Sequence, residues 1–156
     1  MNMSTYKTLG SWQGEMADGK GSITMDSIES TYSIPKEFGG LGEGTNPEEL
    51  IVGAASSCFM ITLGAIFQFK NVEYERIMVN SEADFENTQT GPQLREIRHN
   101  AIVYFKDRSN MDNLSRYVQD AESGCMVAMA LSGNVRVTAT GTGVIVSPSE
   151  SFSEAI

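Results

Sequence analysis

A chain of 156 residues is the size of one domain, and such a domain buries roughly 68–70% of its unfolded surface. Hydrophobic residues make up 40% and charged residues 20%, a globular balance that excludes intrinsic disorder. The net charge of -9 excludes a surface built to neutralise phosphates, so nucleic acid is not an expected partner.

The N-terminus, MNMSTYKTLGSW, has neither a basic region nor an apolar stretch of the kind that directs export. No run reads as approaching the roughly 18 apolar residues of a membrane span, so a cytoplasmic protein without membrane contact is expected. Next come three short β-prone runs, YKTLGSW, SITMDS and TYSI, with the turn signal ADGKG at Ala17 to Gly21. They predict a hairpin or meander up to about Ile34. FGGLGEG, from Phe38 to Gly44, is a second turn signal.

GTNPEELIVGAASSCFMITLGAIF, Gly44 to Phe67, predicts a helix over 46–68. Asn46 is a good N-cap, Pro47 suits the first helical position, and Glu49 falls where it completes a capping box. Leu50, Ala54, Ser57, Cys58, Ile61 and Ala65 make one stripe, while Val52, Phe59, Ile66 and Phe67 add apolar area on other sides. A helix apolar nearly all round is expected to be central and to need more cover than one short sheet, which points to a homodimer.

Alternation with a period of two predicts strands at Ile77 to Phe85 and Ile97 to Phe105, joined by the turn TQTGPQ. Ser109 or Asn110 is expected to cap a second helix whose face is Met111, Leu114, Val118 and Ala121. CMVAMALSGN reads as a short helix ending at Gly133. VRVTATGTGVIV is a closing strand whose glycines permit bending or close approach. The expected arrangement is one α+β domain: hairpin region 1–43, central helix 46–68, strands and helices 72–147, and a frayed tail 148–156.

Cys58 and Cys125 stand 67 positions apart, so there is neither a CxxC pair nor a zinc-ligand cluster. With one histidine, His99, no metal or cofactor is expected. On the residues alone, both cysteines can equally be small buried hydrophobes. His99 reads as a packed strand residue, Met126 and Met129 as core filler, and Glu82, Asp84 and Glu86 as a solvated sheet face.

Three segments together carry a family resemblance: SWQGEMADGKGSI, GTNPEELIVGAASSCF and ESGCMVAMALSGNVRVTATG. From about Trp12 to Val146 the chain resembles, in order, the OsmC/Ohr family of osmotically inducible protein C and organic hydroperoxide resistance proteins. The resemblance implies an OsmC-like fold, with antiparallel sheets around a central cysteine-bearing helix, in an intertwined homodimer. It implies a thiol peroxidase acting on organic hydroperoxides, with Cys58 as the peroxidatic and Cys125 as the resolving cysteine, and Glu48 as the family's active-site glutamate. A dithiol, such as a lipoylated protein, is the implied reductant.

In such a cycle a thiolate becomes a sulfenic acid, which a second thiol condenses to a disulfide. Disulfide formation requires the two Cα atoms within about 7 Å, so the second cysteine segment must pack on the central helix. Gly53, Ala54 and Ala55 are expected to make room for it and for an apolar substrate. One feature departs from the family: the first hairpin lacks the arginine that would activate Cys58. Asp18 stands in its region and Lys20 two positions on, so Lys20 is the candidate cation, with Arg95 and Arg98 as alternatives. Lysine cannot make arginine's two-pronged bond to a carboxylate. Glu48 precedes Cys58 by ten residues, about 15 Å of helix. The other reading is an OsmC-fold protein without efficient turnover that binds an apolar small molecule or senses oxidants through its thiols.

Overall fold

The computed structural model describes residues 2–146, and the expected frayed tail lies outside them. The chain divides into two compact units, Met1–Ile51 and Val52–Ile156.

The first unit is the predicted meander. Strands β1 (Leu9–Gln13), β2 (Lys20–Met25) and β3 (Ile28–Ser33) pair antiparallel in sequence order. The turn before β2 is held by Asp18, whose Oδ1 accepts the Glu15 amide at 3.0 Å. Glycine is required at position 21, where an added Cβ would stand 2.0 Å from the Ser11 carbonyl oxygen and 2.7 Å from the Tyr32 ring. After β3 the chain folds back on itself. The buried Ser33 hydroxyl donates to the Glu43 carbonyl at 2.8 Å and accepts the Glu43 amide at 2.7 Å. Thr45 bridges Tyr32 alongside.

This return delivers Asn46 to the start of helix α1 (Pro47–Phe69). Asn46 Oδ1 accepts the Glu49 amide at 2.8 Å, which is the predicted cap. The reciprocal half of the capping box is replaced: the Glu49 carboxylate accepts from the Thr45 hydroxyl at 2.9 Å. By length and hydropathy (2.1 over 18 residues) α1 is able to cross a membrane, which corrects the expectation that no run approaches that requirement.

In the second unit α1 lies against a sheet of β4 (Arg76–Thr88), β5 (Gly91–Phe105) and β6 (Arg136–Ile145), in that order. β4 and β5 are the predicted antiparallel hairpin. β6 runs parallel to β5, so the expected antiparallel pairing holds for every strand but this one. The reason is its connection: a parallel neighbour needs a crossover, and α2 (Leu114–Gly124) with α3 (Met126–Leu131) supplies it. The face predicted for α2 is the one buried, through Leu114, Val118 and Ala121. Its predicted cap is not formed; Asp107 instead accepts both the amide and the hydroxyl of Ser109. The β6 glycines serve close approach, since a Cβ on Gly141 would stand 2.7 Å from Val118 Cγ2.

The main core joins Phe59, Leu63 and Phe67 of α1 to Ala101, Val103 and Phe105 of β5, and to α2 and Ala139. This corrects the stripe read for α1. Ala55, Phe59, Leu63 and Phe67 are buried, while Ala54, Ser57, Ile61 and Ala65 are exposed. A helix apolar on every side has no periodicity to choose its inner face. The choice goes to the side chains with the most area to hide.

Candidate active site

Cys58 sits half-buried in α1, and Cys125 is buried at the junction of α2 and α3. Cys125 is in an extended conformation, φ -69 and ψ 122, which breaks the helix and turns the chain. Met126 and Val127 then open α3, where the first amides of a helix have no partner within it. Those amides face Cys58, and its thiol lies beside that of Cys125.

The electrostatics of the pair are asymmetric. Burial works against the Cys58 thiolate. The Cys125 thiol, the amides of Val127 and Met126 and the Thr62 hydroxyl outweigh it and hold Cys58 below the ordinary thiol value. Burial pushes Cys125 up, and so do its hydrogen bond to Cys58 and the Cys58 charge; the amides of Ala128 and Val127 offset this only in part. Cys58 therefore ionises first, and Cys125 keeps a proton to donate to it. Thiolate character decides which sulfur is the nucleophile.

Other predicted site residues are differently employed. Lys20 Nζ lies 3.6 Å from Glu43 Oε2, an ion pair exposed on both sides. Arg95 pairs with Glu86, and Arg98 with Asp84, Glu82 and Glu96, so both alternatives are engaged in the ionic ladder of the sheet. Glu48 is in the first turn of α1, with Oε2 buried and no hydrogen-bond partner among the described residues. Of the three small residues, only Ala55 receives the second cysteine segment, in a cluster with Val127 and Leu131. Gly53 and Ala54 are exposed, and a Cβ at Gly53 would meet nothing within 4 Å. Among the described residues, no group of three or more His, Cys, Asp or Glu is placed to hold a metal ion.

Over residues 40–140 the chain matches the family model of OsmC-like protein. The chain belongs to the OsmC family. The uncharacterized protein YmaD of Bacillus subtilis (strain 168) is 35% identical over 129 residues, spanning 81% of this chain and 85% of YmaD. Peroxiredoxin OsmC of Escherichia coli (strain K12) is 26% identical over 129 residues, spanning 80% of this chain and 87% of its own. The structure of an organic hydroperoxide resistance protein OsmC from Legionella pneumophila superposes with a TM-score of 0.72 at 23% identity, over 90% of this chain and 99% of that one. The fold is thus the OsmC α+β fold, and the family points to redox chemistry and hydroperoxide resistance.

Neither Thr62 nor the Met126 and Val127 amides were singled out in the sequence, yet they are among the groups acting on Cys58. Thr62 lies four residues after Cys58, a spacing that puts both on one helix face, so it was findable. The Met126 and Val127 amides follow from a helix starting at Cys125. His99, read as a packed strand residue, is buried, and its ring stacks on Phe59, the neighbour of Cys58 in sequence, at 4.9 Å and 13°.

Ser81 Oγ meets His99 Nδ1 at 2.7 Å, and burial lowers the imidazole pKa. The unfolded chain therefore binds a proton near pH 6.5 that the native state resists. Stability is full above the unfolded value and declines as pH falls below it, until the lower native value is passed. The expected slope is at most about 1.4 kcal/mol per pH unit. Urea midpoints between pH 7 and pH 5.5 should fall for the unaltered chain and stay flatter for His99→Gln. Parallel slopes would assign the acid sensitivity elsewhere.

Proposed function

We propose that this chain is a cytoplasmic thiol peroxidase that reduces organic hydroperoxides in oxidative stress defence, with Cys58 as nucleophile and Cys125 as resolving thiol. The observation that carries the reading is Cys125, at the junction of α2 and α3, lying beside Cys58 of α1, two free thiols next to each other. The Cys58 thiolate attacks the distal oxygen of ROOH, the O–O bond breaks, and the alkoxide takes a proton from solvent to leave as ROH. Cys58 is left as a sulfenic acid. Cys125 attacks its sulfur, the S–O bond breaks, and water leaves as the Cys58–Cys125 disulfide forms. A dithiol, free or carried on a lipoylated protein, reduces that disulfide and becomes a disulfide itself.

Apolar exposure around the site supports an organic rather than an ionic substrate. Ile61, one turn from Cys58, is 74% exposed, and Met126 and Met129 beside Cys125 are 68% and 57% exposed. The same surface, with Phe69 86% exposed on α1, supports an intertwined homodimer, since a single chain leaves it in water. Glu48 and Lys20 belong to the proposal as supporting groups, Glu48 on its buried unpartnered oxygen and Lys20 as a cation that would leave Glu43. A second reading, oxidant sensing or apolar-ligand binding without efficient turnover, is favoured because the groups acting on Cys58 among the described residues are all neutral.

One experiment separates the two readings. Reduced protein mixed with one equivalent of tert-butyl hydroperoxide should lose two hydrogens and both free thiols, and with excess dihydrolipoamide it should go on consuming peroxide. A single oxidation that never cycles would overturn the peroxidase reading in favour of sensing.

A further inference from the structure

Along the inner face of β5 the buried residues are Ile97, His99, Ala101, Val103 and Phe105, so one imidazole interrupts a row of apolar side chains. The interruption falls at a seam. Ile97 and Ala55 belong to one apolar cluster, Ala101 and Phe59 to the other. His99 is 1% exposed and is the single histidine of the chain. Ser81 of β4 and Ala139 of β6 stand beside it in register, and the Phe59 ring of α1 lies over it.

The two ring nitrogens are placed differently. Nδ1 lies 2.7 Å from Ser81 Oγ, while Nε2 is buried and meets no hydrogen-bond partner among the described residues. His99 is closed off by its own chain, so a second subunit supplies no acceptor there without opening the core. If the serine donates, the ring hydrogen sits on Nε2 and an N–H is orphaned. If the imidazole donates from Nδ1, Nε2 is a bare lone pair, and an orphaned acceptor is better tolerated than an orphaned N–H. Nδ1–H therefore donates to Ser81, and Nε2 is a buried base. A proton added to Nε2 would place a charge and a new N–H among apolar groups. The Phe59 ring face attracts a cation, but by less than the cost of taking that cation out of water. No carboxylate offsets that cost: Glu82, Asp84, Glu96, Arg98 and Arg136 pair with one another on the outer face of the sheet. The titratable groups on the helices of the inner side, Cys58, Cys125 and Tyr117, carry no charge when protonated. Burial accordingly lowers the imidazole pKa.

We propose that His99 is an acid-operated latch between β5 and α1: neutral, as the Nδ1–H tautomer, it holds the Phe59 turn of α1 on the sheet through the ring stack, and a proton on Nε2 releases that turn. The released imidazolium reaches water and binds its proton near the ordinary value of about 6.5, whereas the closed form binds it only at lower pH. The closed form therefore keeps its full advantage above about pH 6.5 and loses it as pH falls, by at most about 10-fold per pH unit, until the closed-form value is passed. Cys58 is next to Phe59 in the chain, so the same proton loosens the place of the thiol. The latch goes beyond the peroxidase reading and holds whatever Cys58 reacts with.

The measurement is nuclear magnetic resonance of the full chain, where a single histidine makes the imidazole nitrogens unambiguous. At pH 7.5 the ring hydrogen should be found on Nδ1. Amide hydrogen exchange then follows the latch. Between pH 6.5 and 5.5 the protection of amides from Ala55 to Leu63 in α1, corrected for intrinsic exchange, should fall by about 5- to 10-fold, and that of α2 by less than about two-fold. His99→Gln, which has no proton to take up in this range, should keep α1 protection within about two-fold over the same interval. Should that variant not fold, the tautomer and the contrast between α1 and α2 in the unaltered chain decide. A ring hydrogen on Nε2 would overturn the proposal, as would α1 protection that does not fall, because the imidazolium is then accommodated in the closed core. Equal losses in α1 and α2, or the same acid response in folded His99→Gln, would overturn it as well, leaving His99 a packed residue with no local switch.

Discussion

Cys58→Ser is expected to abolish hydroperoxide consumption, lowering the rate by about 10³-fold or more, because the covalent step has no other nucleophile. Serine reproduces the size of cysteine at a half-buried position, so stability should change by no more than about 1 kcal/mol. The loss would then be chemical. A serine hydroxyl is not ionised at neutral pH, and the Met126 and Val127 amides cannot make it so. Cys125→Ala should behave differently. It removes one donor from Cys58 but leaves the attack possible, so about one equivalent of peroxide per chain should be consumed before the protein stops as a sulfenic acid. Dimedone labelling of Cys58 in that variant, and its absence in Cys58→Ser, is the measurement. If Cys58→Ser keeps a substantial part of the activity, Cys58 is not the nucleophile.

The largest stability effect is expected from Phe67→Ala. Phe67 is fully buried and sits among three rings: Tyr74 at 5.1 Å, Phe105 at 6.1 Å and Tyr117 at 5.9 Å. Truncation removes the transfer energy of a whole ring and leaves a cavity between α1, β5 and α2. Phe→Ala changes of this kind cost about 3–5 kcal/mol, a large share of the roughly 5–15 kcal/mol a domain has. For a chain of this size the thermal midpoint should drop by about 10 °C or more, read by calorimetry or by urea unfolding. A loss below about 1 kcal/mol would mean that the ring cluster is not the centre of the second unit. Because Phe67 lies more than two turns beyond Cys58, the thiol titration of the folded variant should be little altered.

Residues with strong local signals were legible in the sequence. Asn46, Pro47 and Glu49 announce the start of α1 because capping is decided within four residues of chain. The two-residue alternation of 77–85 and 97–105 gives β4 and β5, since one face of a sheet must hide apolar groups and the other meets water. The face of α2 followed in the same way from its spacing. The inward face of α1 did not, because apolar residues surround that helix and periodicity offers no contrast. Nor did the parallel placement of β6, which depends on the crossover through α2 and α3.

Within the site, the identities of Cys58 and Cys125 came from the sequence and their familial motifs. Their placement side by side, with Cys58 held below and Cys125 pushed above the ordinary thiol value, did not. That placement depends on how α3 starts after the extended residue Cys125. The sequence by itself determined the local elements, the family and the two sulfurs, because these reside in residue type and near-neighbour spacing. What packs against the sulfur came only with the folded chain, where among the described residues the groups acting on Cys58 are the Cys125 thiol, the Met126 and Val127 amides and Thr62, because a pKa is set by what packing brings within a few ångströms of an atom.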